Sequence, residues 1–222
     1  MCVNKVSLIV ITDGRKEYIT QTINGLKVVT DYPFFEKIIV NDSGDTSYHQ
    51  FLTNNFSDFK IVSHNQRRGL ASAVQTAWSS YSPETEYIFH LEEDFLFLEE
   101  PQIDLMISLL KNNPYLIQMA LVRSPVSHAE ASVGGFVFQH LAAYVQRDGF
   151  FEHTKFFTLN PSVYPVSTTQ IGWPDLIREP EADFTAKVLS LNEDYRFGYW
   201  GDIYDAPRVF HIGNNRSIGW RM

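Results

Sequence analysis

Four times before residue 99 the chain runs through a short apolar stretch and stops on a cluster of polar or charged residues. The stretches are VSLIVI (6–11), KIIV (37–40), the shorter KIVS (60–63) and EYIFHL (86–91), and the clusters that follow are TDGR, NDSGD, HNQRRG and EEDF. A continuous apolar, β-branched run such as the first, without polar alternation, is the pattern of a strand buried on both faces. Between the runs lie segments of helical period. Ile19, Ile23 and Leu26 follow the first strand, and Leu70, Ala73, Val74, Ala77, Trp78 and Tyr81 precede the fourth. Strands alternating with helices predict an α/β fold, with a mostly parallel central sheet and helices on both faces.

The pattern continues past the fourth strand. Pro101 can open a helix whose inner face carries Ile103, Met106, Ile107 and Leu110, and LIQMALV (116–122) reads as a strand. Residues 123–180 are rich in aromatics, Pro, Ser and Gly, with only short strand-like pieces such as GGFVFQ and AAYVQ; a last helix is expected over 181–191, with Phe184, Val188 and Leu191 at helical spacing. No linker or repeat divides the chain, so residues 1–222 are expected to form one domain, with a ligand-binding half over 1–98 and a second half over 99–222. A 44% hydrophobic content suits one well-packed core of this length.

Composition removes several classes of function. The net charge of -8 argues against binding nucleic acid mainly through its phosphates, which needs a basic face. A single cysteine, Cys2, leaves no internal disulfide framework and no cysteine-rich zinc site. No apolar run approaches the roughly 20 residues that span a bilayer, and the N-terminus lacks a signal peptide's cleavage region, so a soluble, cytoplasmic protein is expected, with no membrane insertion.

In open α/β sheets ligands bind beyond the carboxyl ends of the parallel strands, where the four polar clusters fall. Neither G-x-G-x-x-G nor G-x-x-x-x-G-K-[ST] occurs, so a bound diphosphate would be neutralised by a metal rather than by a glycine-rich loop. The fourth cluster, in HLEEDF, carries three adjacent carboxylates at the end of a strand expected to be central. If extended geometry persists to Asp94, then His90, Glu92 and Asp94 share one face and Glu93 points the other way. Carboxylates two residues apart, roughly 6.6 Å along a strand, suit one direct metal ligand and one contact through water or sugar. Asp94 is the expected direct ligand and Glu92 the outer contact.

Together, VSLIVITDGR, KIIVNDSGD, NQRRGLASAVQTA and YIFHLEEDF resemble the nucleotide-binding half of a GT-A glycosyltransferase, closest to the family 2 type, over about residues 5–98. The resemblance implies a Rossmann-like fold and a nucleotide-diphosphate sugar as donor, with a UDP-sugar favoured. It aligns the family's D-x-D signature with Glu92, Glu93 and Asp94, where Glu92 departs from the pattern. It also implies that Thr12, Asp13, Arg15 and Asp42 surround the base and ribose, and that Arg67 and Gly69 meet phosphate or nucleotide at a helix entrance. In the second half, REPEADFTAKVLSL resembles the segment that supplies the family's catalytic base. Asp183 is the nearest match, with Glu181 and Glu179 as competitors. By the same resemblance His211 joins Asp94 around Mn²⁺ or Mg²⁺, and Gly213 and Arg216 form a loop over the diphosphate.

The implied reaction is metal-dependent transfer of a sugar to an acceptor hydroxyl with inversion. Asp183 accepts the acceptor's proton, and the metal stabilises the departing diphosphate. The aromatic stretches at 150–165 and 171–176 are expected to shape the acceptor side. The compact chain resembles enzymes that phages encode, which would place it in the host cytoplasm and makes a hydroxymethylated DNA base one candidate acceptor, beside protein and glycan. Two alternatives differ in class: a nucleotidyltransferase, and a nucleotide-sugar-binding module without catalysis.

Overall fold

The structure is a computed structural model and describes residues 4–125, 141–174 and 180–213. Its first half follows the alternating pattern: β1 (Val6–Thr12), α1 (Lys16–Val29), β2 (Glu36–Asn41), α2 (Thr46–Asn55), β3 (Lys60–Ser63), α3 (Leu70–Ser80), β4 (Tyr87–Glu92), β5 (Phe95–Phe97) and α4 (Ile103–Asn112). Then come β6 (Leu116–Ala120), β7 (Arg123–Ser124), β8 (Val145–Arg147), β9 (Phe150–His153), β10 (Ser162–Pro165), α5 (Val166–Gln170), α6 (Pro180–Leu191), β11 (Arg196–Trp200) and β12 (Val209–His211).

Among the described residues the main sheet has nine strands in the order β3-β2-β1-β4-β10-β6-β11-β9-β8. The expected parallel core is its first four strands, with β1 paired in parallel to both β2 and β4, and β2 to β3. Beyond β4 the order changes. β10 runs antiparallel between β4 and β6, and β11 pairs in parallel with β6 but antiparallel with β9. A separate three-stranded sheet, β5-β12-β7, is formed by residues just after β4, residues after β6 and the end of the described chain.

Strand alternation divides the core between the two faces. Val6, Leu8 and Val10 of β1 pack with Ile19, Ile23 and Leu26 of α1, Tyr48 and Leu52 of α2, and Met106 and Ile107 of α4. Ile9 and Ile11 pack on the opposite side with Ala73, Val74, Ala77 and Trp78 of α3 and Phe184 and Val188 of α6. Helices therefore cover both faces, as the sequence pattern requires. Helix α2 lies outside the expected set. Its start is fixed by Asp45, whose carboxylate accepts a hydrogen bond from Ser47 N at 2.7 Å, and it buries only Tyr48 and Leu52.

The aromatic stretch at 150–165 requires a correction. Phe150, Phe151, Phe156, Phe157 and Tyr164 are all at most 5% exposed and pack into the core, so their ring faces are not open to an acceptor. Trp173 is buried too, stacked on Phe184 at 4.8 Å and edge-on to Trp78 at 5.2 Å. Phe157, Tyr164 and Trp173 pack in one cluster with α3 and α6, and Phe151 and Phe156 in another with Tyr144 and Tyr199, so burial rather than ligand contact determines their use.

Candidate active site

The carboxyl ends of β1, β2 and β4 meet at one pocket. Thr12, Asp13, Arg15, Asp42, Arg67, Glu92 and Glu93 line it, with Ile11, Leu70 and Ala73 as its apolar wall. The eighth nucleotide-binding candidate, Gly69, is joined to the wall through Asp42, whose Oδ2 accepts from Gly69 N at 2.7 Å.

Asp42 is itself buried. Its Oδ1 takes hydrogen bonds from Arg68 N at 2.8 Å and from the His64 ring Nδ1 at 2.6 Å, and His64 Nε2 lies 2.8 Å from Thr76 Oγ1. Two backbone N–H groups and one imidazole thus converge on one carboxylate and fix the turn into α3. Gly69 caps that helix with φ of 87°, a left-handed conformation that suits glycine. The neighbouring Arg67 reaches across to donate to the carbonyl oxygen of Asp13 at 2.7 Å, which places a cationic side chain over the end of β1.

The acidic triplet departs from the expected alternation. Extended structure ends at Glu92, and Glu93 and Asp94 form a turn before β5. Thr22 of α1 clamps this turn, donating through Oγ1 to the Glu93 carbonyl at 2.6 Å and accepting from Phe95 N at 3.1 Å. Consequently Glu93 does not face away. Its buried carboxylate accepts from Arg15 Nε at 2.6 Å, from Asp13 N at 3.3 Å and from the Thr12 hydroxyl, with the Tyr48 hydroxyl at 3.4 Å. Arg15 then bridges to the next residue, its Nη2 donating to Asp94 Oδ2 at 2.8 Å.

β12 completes the cluster. Its antiparallel pairing sets His211 opposite Phe95, and Ile212 N donates to the Asp94 carbonyl at 2.9 Å. His211 Nε2 lies 3.3 Å from Asp94 Oδ2. The two residues expected to share a metal are therefore adjacent. Gly213 follows at very close range, since a Cβ there would stand 1.9 Å from Asp94 Oδ2 and 3.0 Å from Arg15 Nη1. Only a residue without a side chain fits against the carboxylate.

Electrostatics separates the two neighbouring acids. Burial pushes Glu93 up, the hydrogen bond it shares with Asp13 adds to the rise, and Arg15 opposes it. Burial alone would raise Asp94 as well, but the hydrogen bonds and charges of His211 and Arg15 outweigh it and hold Asp94 down at about 2. Burial works against the charge of Arg15, yet Glu93 and Asp94 more than compensate and keep the guanidinium protonated. Asp94 is thus an anion paired with the Arg15 guanidinium. Its Oδ1 is buried and has no hydrogen-bond partner among the described residues.

Those features fit a divalent cation in one respect and limit it in another. An orphaned carboxylate oxygen beside an imidazole offers two protein ligands. No group of three or more His, Cys, Asp or Glu side chains suited to a metal occurs among the described residues. Further coordination positions would fall to diphosphate oxygens and water, the usual arrangement for Mg²⁺ at a nucleotide.

The candidates for the base stand on α6. Asp183 and Glu181 lie in its first turn, and the next residue, Phe184, packs 5.3 Å from Trp78 of α3, the helix whose entrance borders the pocket. Glu181 is already engaged, its Oε1 accepting from Leu159 N at 2.6 Å. Glu179 and Arg216 lie outside the described residues, as do residues 175 and 176 of the second aromatic stretch. Sequence reasoning missed Thr22, Tyr48 and His64. Thr22 shares the inward face of α1 with Ile19, Ile23 and Leu26, and a hydroxyl on an apolar helix face was the available signal.

Comparison with known proteins agrees with this geometry. A crystal structure of GalNAc-T7 with UDP, GalNAc and Mn²⁺ superposes with a TM-score of 0.67 at 8% identity, covering 98% of this chain and 45% of that one. A crystal structure of S. aureus TarS 1-349 gives 0.59 at 18% identity, covering 94% of this chain and 60% of that one. At these identities the likeness establishes the fold, the GT-A type, and the chain spans about half the length of the structures it matches. A search of curated proteins finds no match. No described helix is long and apolar enough to cross a membrane. The model of glycosyl transferase family 2 matches residues 7–175, a span that contains the pocket and the acidic turn, and the chain accordingly belongs to that family of glycosyltransferases.

Proposed function

We propose that the protein transfers a sugar from a nucleotide-diphosphate sugar, a UDP-sugar by preference, to an acceptor hydroxyl with inversion at the anomeric carbon. The observation that carries this reading is the convergence of seven donor-site candidates on one pocket, bordered by the Asp94–His211 pair with its unpartnered carboxylate oxygen. The nucleotide would lie across the ends of β1 and β2, between Thr12, Asp13 and Asp42. Arg67 and the backbone at Gly69 would face its phosphates. The presence of UDP and Mn²⁺ in the GalNAc-T7 structure favours that nucleotide and that metal.

Asp94 and His211 would hold Mn²⁺ or Mg²⁺, whose bound charge stabilises a departing diphosphate. Asp183 would accept the proton of the attacking hydroxyl. Glu181 is the weaker candidate because its carboxylate already holds Leu159 N. Membership of a sugar-transferring family sets the nucleotidyltransferase alternative aside.

The test is a calorimetric screen of UDP-, GDP-, ADP- and dTDP-sugars with and without Mn²⁺, repeated with Asp94→Ala, followed by transfer assays on Asp183→Asn and Glu181→Gln. One donor should bind in a metal- and Asp94-dependent manner, and Asp183→Asn should keep donor binding while losing most of the transfer rate, typically 10²–10⁴-fold for a general base. If no diphosphate binds, or if Asp94→Ala binds as well as the parent, the reading fails.

A further inference from the structure

Asp94 already has a cation. Arg15 is fastened at three points, Nε on Glu93 at 2.6 Å and on Asp13 Oδ1 at 3.2 Å and Nη2 on Asp94 at 2.8 Å, and its guanidinium lies 4.7 Å from the Tyr18 ring centroid. On the other side the backbone at Gly213 closes over Arg15 Nη1 and Asp94 Oδ2. The Asp94 carboxylate is therefore 1% exposed, with Oδ2 shared by Arg15 and His211 and Oδ1 inaccessible to solvent.

A divalent ion bonded to this carboxylate would sit roughly 2 Å from its oxygen. It would then stand a few ångströms from the guanidinium, where like charges in a poorly solvated site repel strongly. With the guanidinium on Oδ2, Asp94 therefore holds a divalent ion at Oδ1 more weakly than it would alone. A diphosphate offers Arg15 an alternative partner, since a planar guanidinium pairs with phosphate as readily as with carboxylate.

We propose that Arg15 is an internal competitor for the metal site, occupying Asp94 in the free protein and yielding it to a divalent ion when a nucleotide diphosphate gives the guanidinium another anion to hold. The proposal rests on the metal-dependent reading above and adds an order to it: metal and nucleotide each bind more tightly in the presence of the other. Glu93 is the pivot. It keeps Arg15 Nε in place while the Nη groups change partner, and its own bonds to Thr12 and Asp13 N anchor it to the end of β1.

The experiment measures Mn²⁺ affinity directly, by electron paramagnetic resonance of the free ion, with and without UDP. In Arg15→Met, which keeps bulk and removes charge, Mn²⁺ alone should bind at least tenfold more tightly than in the parent, and the gain on adding UDP should shrink. Equal or weaker Mn²⁺ binding by Arg15→Met would overturn the proposal, because Arg15 would then be holding the site together rather than closing it. Asp94→Asn separates the two levels of inference. If it abolishes Mn²⁺ binding while Arg15→Met gains nothing, only the competition fails; if Mn²⁺ binding ignores Asp94, or is absent in every protein, the metal-dependent reading falls with it. Should Arg15→Met not fold, the parent protein gives a second measurement. The Arg15 Nη resonances, assigned through bonds, should shift in step with Mg²⁺ binding in the presence of UDP, and Nη resonances unmoved at saturation would overturn the proposal.

Discussion

Replacing Asp42 tests whether the entrance to α3 is held by one carboxylate. Asp42→Ala removes the common acceptor of Arg68 N, Gly69 N and His64 Nδ1 at 2.8, 2.7 and 2.6 Å. Hydrogen bonds to a charged acceptor contribute about 1.5–3 kcal/mol each. Arg68 is exposed and Gly69 half-buried, so water can replace part of what their N–H groups lose, and the lower end of the range applies to them. His64 is only 9% exposed and keeps just its contact with Thr76. The expected loss is about 4.5–6 kcal/mol, a large share of a typical total of about 5–15 kcal/mol. For a chain of this length it corresponds to a fall in Tm of about 9–24 °C. Asp42→Asn can keep one oxygen towards His64 and Arg68 but turns an amide NH₂ on Gly69 N, so it should lose about 1–2 kcal/mol. Urea unfolding followed by tryptophan fluorescence measures both. An Asp42→Ala protein within about 0.5 kcal/mol of the parent, at unchanged m, would show that the loop is held by other contacts and refute the argument.

Two further substitutions probe the core and the cluster. His90 is fully buried with both ring nitrogens lacking hydrogen-bond partners among the described residues, and burial lowers it from 6.5 to about 3. The unfolded chain therefore takes up a proton below about pH 6.5 that the folded protein refuses, and stability falls by up to about 1.4 kcal/mol per pH unit as pH drops towards 3. His90→Leu should remove that slope and leave stability near pH 7.5 unchanged or higher, since no hydrogen bond is lost; a slope equal to the parent's between pH 6 and 4 would contradict this. Gly213→Ala places a methyl 1.9 Å from Asp94 Oδ2. It should weaken nucleotide-diphosphate binding at least tenfold in calorimetry, with an overpacking cost of about 1–3 kcal/mol, and parent-like binding would refute the close approach.

The parallel core was legible because a continuous β-branched run has few options other than a strand buried on both faces. β1, β2 and β4 fall within a residue or two of the expected runs, and their polar ends do converge on one pocket. Helix α2 was not legible, since its apolar face amounts to two buried side chains and its start depends on a local bond from Ser47 N to Asp45. The direction of Glu93 was misjudged for a similar reason. Alternation holds only while the backbone stays extended, and Thr22, distant in sequence, bends it one residue too soon. The meeting of Asp94 with His211 came from family resemblance rather than spacing, because nothing local in either segment encodes the pairing of β12 with β5. The aromatic-rich second half misled because burial and sugar binding use the same residue types.

The place of β10 has a consequence for how the protein can be made. The residues that line the pocket end at Glu93, just past β4, yet β4 gains its second neighbour only from residues 162–165, antiparallel to it. While the chain is emerging from the ribosome, β4 is therefore an open edge bearing Ile88, Phe89 and Leu91, and an unpaired apolar edge is a template for another chain. A fragment ending after the acidic turn would keep that edge permanently. The parallel core of β1 to β4 is thus continuous in sequence but not self-sufficient, and its insurance against aggregation is a strand translated late.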